Sequence, residues 1–214
     1  MLFHVYGHLL VTGVGGLITM RDEDDGKLLR SLMQHGRESI YLSIDDDDDA
    51  NAALLAALVE RRFSFVRMGW SYRITELERA LGLAALAEAD DMLVARTRNG
   101  ARLTHQLRDL GDVLQLPNVP PDREHAFMMF PIIVRDNRRN KFALHIERSG
   151  IETRLMMPLV NQPYYVRQFG DISAQYPRAQ YINDHGLYIG CHQGMTNEDI
   201  DYVAETIHDF FLRS

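Results

Sequence analysis

The sequence predicts an α/β chain in two parts: a helix-rich first part with short apolar runs, then a compact α+β part. Three observations carry this. The helical stretch from Ile74 to about Leu110 is far longer than its neighbours. Three prolines cluster between Leu116 and Arg123, which places a boundary there, with residues 1–116 as the first part and 117–214 as the second. Beyond that cluster, apolar runs of strand length alternate with helical periods.

Composition narrows the function classes. Of 214 residues, 46% are hydrophobic and 25% charged, a globular balance. No run of about eighteen apolar residues exists, so no membrane partner is expected. The N-terminus does not read as a signal peptide, because no basic region precedes its apolar stretch and His8 and Thr12 interrupt it. The single cysteine, Cys191, excludes an internal disulfide and suits a reducing compartment, so a cytoplasmic location is expected. Net charge is −7, and five of the negative charges lie in one run, Asp45 to Asp49. With no basic arm or stripe, a nucleic-acid partner is not expected. Only two of the 23 basic residues are lysines, Lys27 and Lys141.

The elements follow in order. Leu9–Val11 and Leu17–Thr19, joined by the glycine turn Thr12-Gly13-Val14-Gly15-Gly16, predict a hairpin-like pair. A helix is expected over 23–35, acidic in its first turn, with Leu28, Leu29, Leu32 and Met33 on its apolar face. The Asp run reads as a solvated acidic loop rather than a metal site, since adjacent carboxylates lack the spacing of a calcium loop. Asp49 is placed to cap a helix over 50–62. Thr75-x-x-Glu78 is a capping box opening the long stretch, and Gly100 is a candidate kink. In the second part, strands are expected over 126–134, 151–155 and 187–190, with a helix over 138–149 and a proline-bearing loop through 157–163. Thr196 caps a last helix in which Ile200, Val203, Ile207, Phe210 and Phe211 repeat at three or four.

Several of these segments, in this order, resemble the DegT/DnrJ/EryC1/StrS family of pyridoxal-phosphate-dependent (fold type I) sugar aminotransferases. The matching pieces are the glycine turn at 12–16, the segment Met68-Gly69-Trp70-Ser71-Tyr72-Arg73-Ile74-Thr75-Glu76-Leu77-Glu78, and Gly150-Ile151-Glu152-Thr153-Arg154. Asn161-Gln162-Pro163-Tyr164-Tyr165 and Met195-Thr196-Asn197-Glu198-Asp199-Ile200 complete the set. The resemblance covers only the C-terminal half of the family's fold. It implies a remnant of the large cofactor domain with a long bridging helix, plus the small C-terminal α+β domain. It also implies that a missing first half carries most of the cofactor shelf, so that the chain is a truncated or split enzyme.

The family's Schiff-base lysine would stand five residues before Gly13, where this sequence has His8, and the family's serine five further back is Phe3. The resemblance therefore implies pyridoxal or pyridoxamine phosphate held without a covalent bond. It also implies a function like that of the sugar 3-dehydratases, which carry histidine at this place and remove the C3 hydroxyl of nucleotide-linked 4-keto sugars. Imidazole, with an ordinary pKa of about 6.5, suits the proton transfer. The plain alternative for His8 is a polar residue without a role. Gly13, Gly15 and Gly16 are implied on the cofactor side, with Ser71 and Tyr72 reaching a partner subunit's cofactor phosphate or merely opening a helix. Arg154 is a candidate clamp for an anionic substrate group, or a structural ion-pair partner. Asn161 is the other candidate substrate contact, and Val160 replaces a histidine common in relatives. His192 beside Cys191 lacks a third ligand at useful spacing, so no metal is expected.

The partners implied are a nucleotide-linked sugar and either a second copy or a chain supplying the missing half. Leu28, Leu29, Leu32, Leu54, Leu55 and Leu58 are expected to form an exposed apolar patch. The competing reading is a non-catalytic remnant that serves as a binding or dimerisation module of the same fold.

Overall fold

The computed structural model describes the backbone of residues 2–4 and residues 9–38, 52–61, 63–156 and 159–212. It forms two compact units, Met1–Ala89 and Asp90–Ser214. His8 and Asp49, with the rest of the acidic run, lie outside the described residues.

In the first unit, β1 (Leu2–His4) pairs antiparallel with β2 (Gly16–Ile18), Phe3 opposite Leu17. A hairpin-like pair is therefore present, but its first strand is 2–4 rather than 9–11. Leu9–Val11 are not in a strand. Next come α1 (Glu23–Leu32), α2 (Ala52–Arg61) and α3 (Glu76–Ala87). Asp22 caps α1 through its carboxylate, which accepts from the Asp25 N–H at 3.0 Å. Of the expected apolar patch, Leu28 and Leu54 are exposed, whereas Leu58 is buried.

The segment after α1 is laced to residues 64–72. Trp70 N–H donates to Leu32 O at 2.7 Å, Tyr72 N–H to Met33 O at 3.1 Å, and His35 N–H to Trp70 O at 2.9 Å. Two backbones cross here so closely that only glycine fits. A β-carbon on Gly69 would lie 2.1 Å from Gly36 N, and one on Gly36 would lie 1.8 Å from Arg67 O.

The predicted long helix is two helices. α3 ends at Ala87 with Glu88 as its C-cap, and α4 (Ala89–Gln106) begins directly after it. Gly100 is not the break. It lies within α4, where a β-carbon would fall 2.6 Å from the Phe127 ring, so close packing rather than a bend accounts for the glycine. The two compact units part between Ala89 and Asp90. The reason is burial: Leu103 on α4, with Leu107, Leu110 and Leu114 beyond it, enters the core of the second unit.

That core is built on a four-stranded antiparallel sheet in the order β3 (Leu114–Gln115), β4 (Phe130–Val134), β6 (Gly186–Ile189), β5 (Thr153–Leu155). Alternation along β4 turns Phe130, Ile132 and Val134 inward, all fully buried. α5 (Arg139–Arg148) and α8 (Asn197–Leu212) add Phe142, Ile146, Ile200 and Ile207 to the same core. Each such side chain contributes roughly 1.5–3 kcal/mol on burial. Thr196 caps α8 as expected: its hydroxyl accepts from Asp199 N–H at 3.2 Å, and the Asp199 carboxylate accepts from Thr196 N–H at 2.8 Å. Two short helices, α6 (Pro163–Phe169) and α7 (Pro177–His185), connect β5 to β6.

Arg96 locks the second unit. It is 4% exposed and donates to Gln193 Oε1 at 2.9 Å, Phe127 O at 3.0 Å and Cys191 O at 3.2 Å.

Candidate functional site

The glycine turn is anchored before it offers anything to a ligand. Thr12 is buried, and its hydroxyl donates to Val14 O at 2.8 Å. Its methyl lies against α3 at Gly82, where a β-carbon would come within 3.2 Å. Gly13 and Gly15 have φ of 87° and 125°, in the left-handed region that favours glycine, while Gly16 is in β2.

Ser71 and Tyr72 owe their positions to the lacing described above, with Ser71 bridged to Gln34. Tyr72 stacks on Trp70 at 5.9 Å and 5° and is exposed. Ser71 instead lines a cavity of about 370 Å³ at the start of α3, together with Arg73, Ile74, Thr75, Glu76 and Arg79. Helix N-terminal N–H groups and two guanidinium forks beside a hydroxyl suit a phosphate-sized anion. The capping box holds this end in shape. Glu78 accepts from Thr75 N–H at 2.7 Å and from its hydroxyl, and these bonds, the hydroxyl's first, hold the Glu78 carboxyl below the usual carboxylate range.

Arg73 belongs to the 68–78 motif without a role read from it, and Arg79 lies outside any motif. The signal for Arg79 was its place four residues after the capping Thr75, which returns it to the same end and face of the helix.

The hydroxyl and guanidinium groups lining this cavity are of a kind that suits a phosphate group, with the Glu76 carboxylate also on its wall. Lys27 Nζ is paired with Glu23 at 3.1 Å and Asp24 at 3.4 Å. The Glu23 and Asp24 hydrogen bonds raise its pKa, the reverse of what a nucleophilic lysine needs. Lys141 is exposed on α5.

Arg154 and Asn161 lie in the second unit. Arg154 donates to Thr153 O at 2.8 Å and is paired with Glu152, whose hydrogen bond and charge raise the guanidinium pKa. A directed relay orients Asn161. Gln180 Nε2 donates to both oxygens of Asp184 at 2.9 Å, which leaves Gln180 Oε1 to accept from Asn161 Nδ2 at 2.9 Å. Asn161 Oδ1 is then buried without a hydrogen-bond partner. Cys191 is buried and its thiol pushed up to about 11 by that burial, which makes it inert, and His192 Nδ1 accepts from Gly194 N–H at 3.1 Å. Among the described residues no three His, Cys, Asp or Glu side chains converge as metal ligands, and no helix is long and apolar enough to cross a membrane.

This arrangement can be set beside known proteins. The chain is 28% identical over 210 residues to GDP-perosamine synthase of Caulobacter vibrioides, covering 96% of this chain and 50% of that protein. It is 24% identical over 219 residues to GDP-4-keto-6-deoxy-D-mannose 3-dehydratase of Escherichia coli O55:H7, covering 94% and 52%. Among solved structures, the E. coli 3-dehydratase with bound hydrated pyridoxal phosphate superposes with a TM-score of 0.77 at 21% identity, covering 96% of this chain and 53% of that one. S. venezuelae DesV superposes with a TM-score of 0.78 at 20% identity, covering 98% and 50%. The chain thus has the fold of the C-terminal part of these enzymes and spans about half the length of the curated relatives it matches. Residues 2–208 match one family throughout: the chain belongs to the DegT/DnrJ/EryC1/StrS aminotransferase family.

Proposed function

We propose that the chain is the C-terminal half of a pyridoxal- or pyridoxamine-phosphate enzyme acting on nucleotide-linked keto sugars, with C3 dehydration favoured over amine transfer. The observation that carries this is the anion-fitting cavity of Ser71, Arg73 and Arg79 in a chain of this family. Ser71 and the two guanidiniums would hold the cofactor phosphate, and Gly13, Gly15 and Gly16 would let backbone approach the cofactor. When bound, the cofactor supplies the electron sink for loss of the hydroxyl. His8, in the register of the lysine, takes the proton-moving role at an imidazole nitrogen and cannot take the covalent one. Arg154 and Asn161 are the proposed substrate contacts. A partner chain carrying the other half, or a second copy, completes the site, and the reading places the assembly in the cytoplasm.

The test co-expresses the chain with one carrying the N-terminal half that the relatives possess. With pyridoxamine phosphate and a GDP-linked 4-keto-6-deoxy sugar, the assembly should lose water from C3 faster than it transfers an amine. Loss of a general base costs about 10²–10⁴-fold, so His8→Asn should lose most dehydration while retaining the cofactor. Turnover of His8→Asn at the parent rate would sink the dehydratase reading.

The second reading, a binding or dimerisation module without catalysis, draws on α3, which has no buried residue and exposes Leu77 and Leu81. Absence of any turnover from an assembly that binds cofactor would favour it.

A further inference from the structure

The sheet of the second unit ends at β5, the last strand in its order. The way the chain enters β5 decides what stands on that edge. Gly150, at φ 80°, closes α5: its N–H donates to Glu147 O at 3.0 Å, and Ile151 N–H donates to Ile146 O at 3.0 Å. This reversal brings residue 153 back beside 147. Along the strand, Thr153, Arg154 and Leu155 stand opposite Ile189, Tyr188 and Leu187 of β6. Met156 N–H donates to Gly186 O at 3.2 Å, which makes 156 and 186 a hydrogen-bonded pair. Antiparallel pairs alternate, so Arg154 also bonds toward β6, while Thr153 and Leu155 turn their N–H and C=O outward.

The two outward positions differ. At Thr153 the edge is closed by side chains. Glu147 Oε1 accepts from Thr153 N–H at 2.6 Å and from its hydroxyl at 2.7 Å, and Thr153 O accepts from Arg154 Nη1 at 2.8 Å. Leu155 is 42% exposed.

A strand edge is a template for another strand, and the strand with the same edge is β5 of a second copy. Two-fold antiparallel pairing would set Thr153 against Leu155 of the second copy and Arg154 against its own counterpart. That register needs the N–H and C=O of Thr153, which Glu147 and Arg154 already hold. It also opposes two guanidiniums, an unfavourable cross-strand pair that the exposed Glu152 beside each offsets only in part.

We propose that Glu147 is an edge guard: by holding the outward N–H of Thr153, it keeps β5 from pairing with β5 of a second copy. Arg154 adds to the guard through its charge. The device lies within the second unit and does not rest on the function proposed above.

A disulfide reporter in the whole chain tests it. Arg154→Cys puts a thiol on the two-fold axis, where facing Cα atoms of a non-hydrogen-bonded pair lie about 4.5 Å apart, within disulfide reach. Cys191, buried and with its thiol pushed up to about 11, stays silent. With the reporter alone, linked dimer should form slowly under mild oxidation. Adding Glu147→Ala should speed linking about tenfold or more, the worth of one hydrogen bond to a charged group. Glu147 is exposed on α5, so the fold should survive the truncation. Glu147→Lys, which has no acceptor, should behave like the alanine variant. Glu147→Gln keeps an acceptor oxygen and should stay near the rate of the reporter alone. Hydrogen exchange at the Thr153 amide, measured in dilute solution, should quicken in the alanine and lysine variants. Three outcomes overturn the proposal: equal linking rates with and without Glu147, linking in Glu147→Gln as fast as in Glu147→Ala, or a Thr153 amide that stays protected once Glu147 is replaced by alanine.

Discussion

In the second unit Phe130, Phe142, Leu103 and Ile207 are fully enclosed, whereas in the first unit Leu77, Leu83 and Met68 stand 69%, 72% and 88% exposed. Among the described residues of the first unit, Leu58 is the one apolar side chain that is buried. Helices of both units carry apolar faces, but the continuous buried core lies in the second. Periodicity tells which face of a helix is apolar and says nothing about what lies against it. The first unit therefore depends on backbone lacing between 32–38 and 64–72, and the second on a packed core.

The largest expected effect tests that difference directly. Phe142→Ala, in the core between Phe210 and Phe211, should cost about 3–5 kcal/mol in urea denaturation. Leu77→Ala should cost less than about 1 kcal/mol. If Leu77→Ala matched Phe142→Ala, the α3 face would be covered in solution, and light scattering would show association. Next in size is Arg96→Met, which strands buried carbonyls of Phe127 and Cys191 and should cost about 2–3 kcal/mol. Gly100→Ala comes next. Its β-carbon meets the Phe127 ring, and overpacking of this kind costs about 1–3 kcal/mol.

A spectroscopic test is available because Trp70, the single tryptophan, lies in the first unit. Its fluorescence should change at lower urea than the far-ultraviolet dichroism does, and coincident transitions would erase the distinction.

The smallest effect is acid sensitivity, and it should fall mainly on the second unit. Asp109 is held below the usual carboxylate range by its hydrogen bond with His208, Glu147 by Thr153 and Asp201 by Gln106. Carboxylates with lowered folded pKa values add stability above their unfolded values, about 3.9–4.3, and that stability is lost as pH falls through the folded values. Melting temperature should thus be flat above about pH 5 and decline below about pH 4. A decline already under way at pH 6 would point to other groups.

Much of this was legible in the sequence, for local reasons. The alternation of Phe130, Ile132 and Val134, the three-and-four repeat of α8 and the caps at Thr75 and Thr196 are written within a few residues of where they act. The misreadings have a common source in long-range effects. Gly100 reads as a breaker until Phe127 arrives from elsewhere to fill its space. Leu9–Val11 reads as a strand, yet the residues paired with β2 are 2–4. Pro163 reads as the end of a loop, yet it stands in the first turn of α6, where proline's missing N–H costs nothing. In the candidate site, Ser71 is marked by its motif, while Arg79, four residues after the cap, carries no motif, and only the folded cavity brings it beside Ser71.

The Arg96 lock also sets an order in time. Its acceptors lie 31, 95 and 97 positions further along the chain, at Phe127, Cys191 and Gln193. On a ribosome, α4 emerges well before two of the three groups that its guanidinium must meet. Until Cys191 and Gln193 have been made, the guanidinium lacks two of the acceptors that bind it in the folded unit, beside Leu103 and Leu107. Closure across such separations makes folding of the second unit slow relative to its helices. During synthesis, the part of the molecule that ends up most thoroughly packed is therefore the part that waits longest with its apolar surface open.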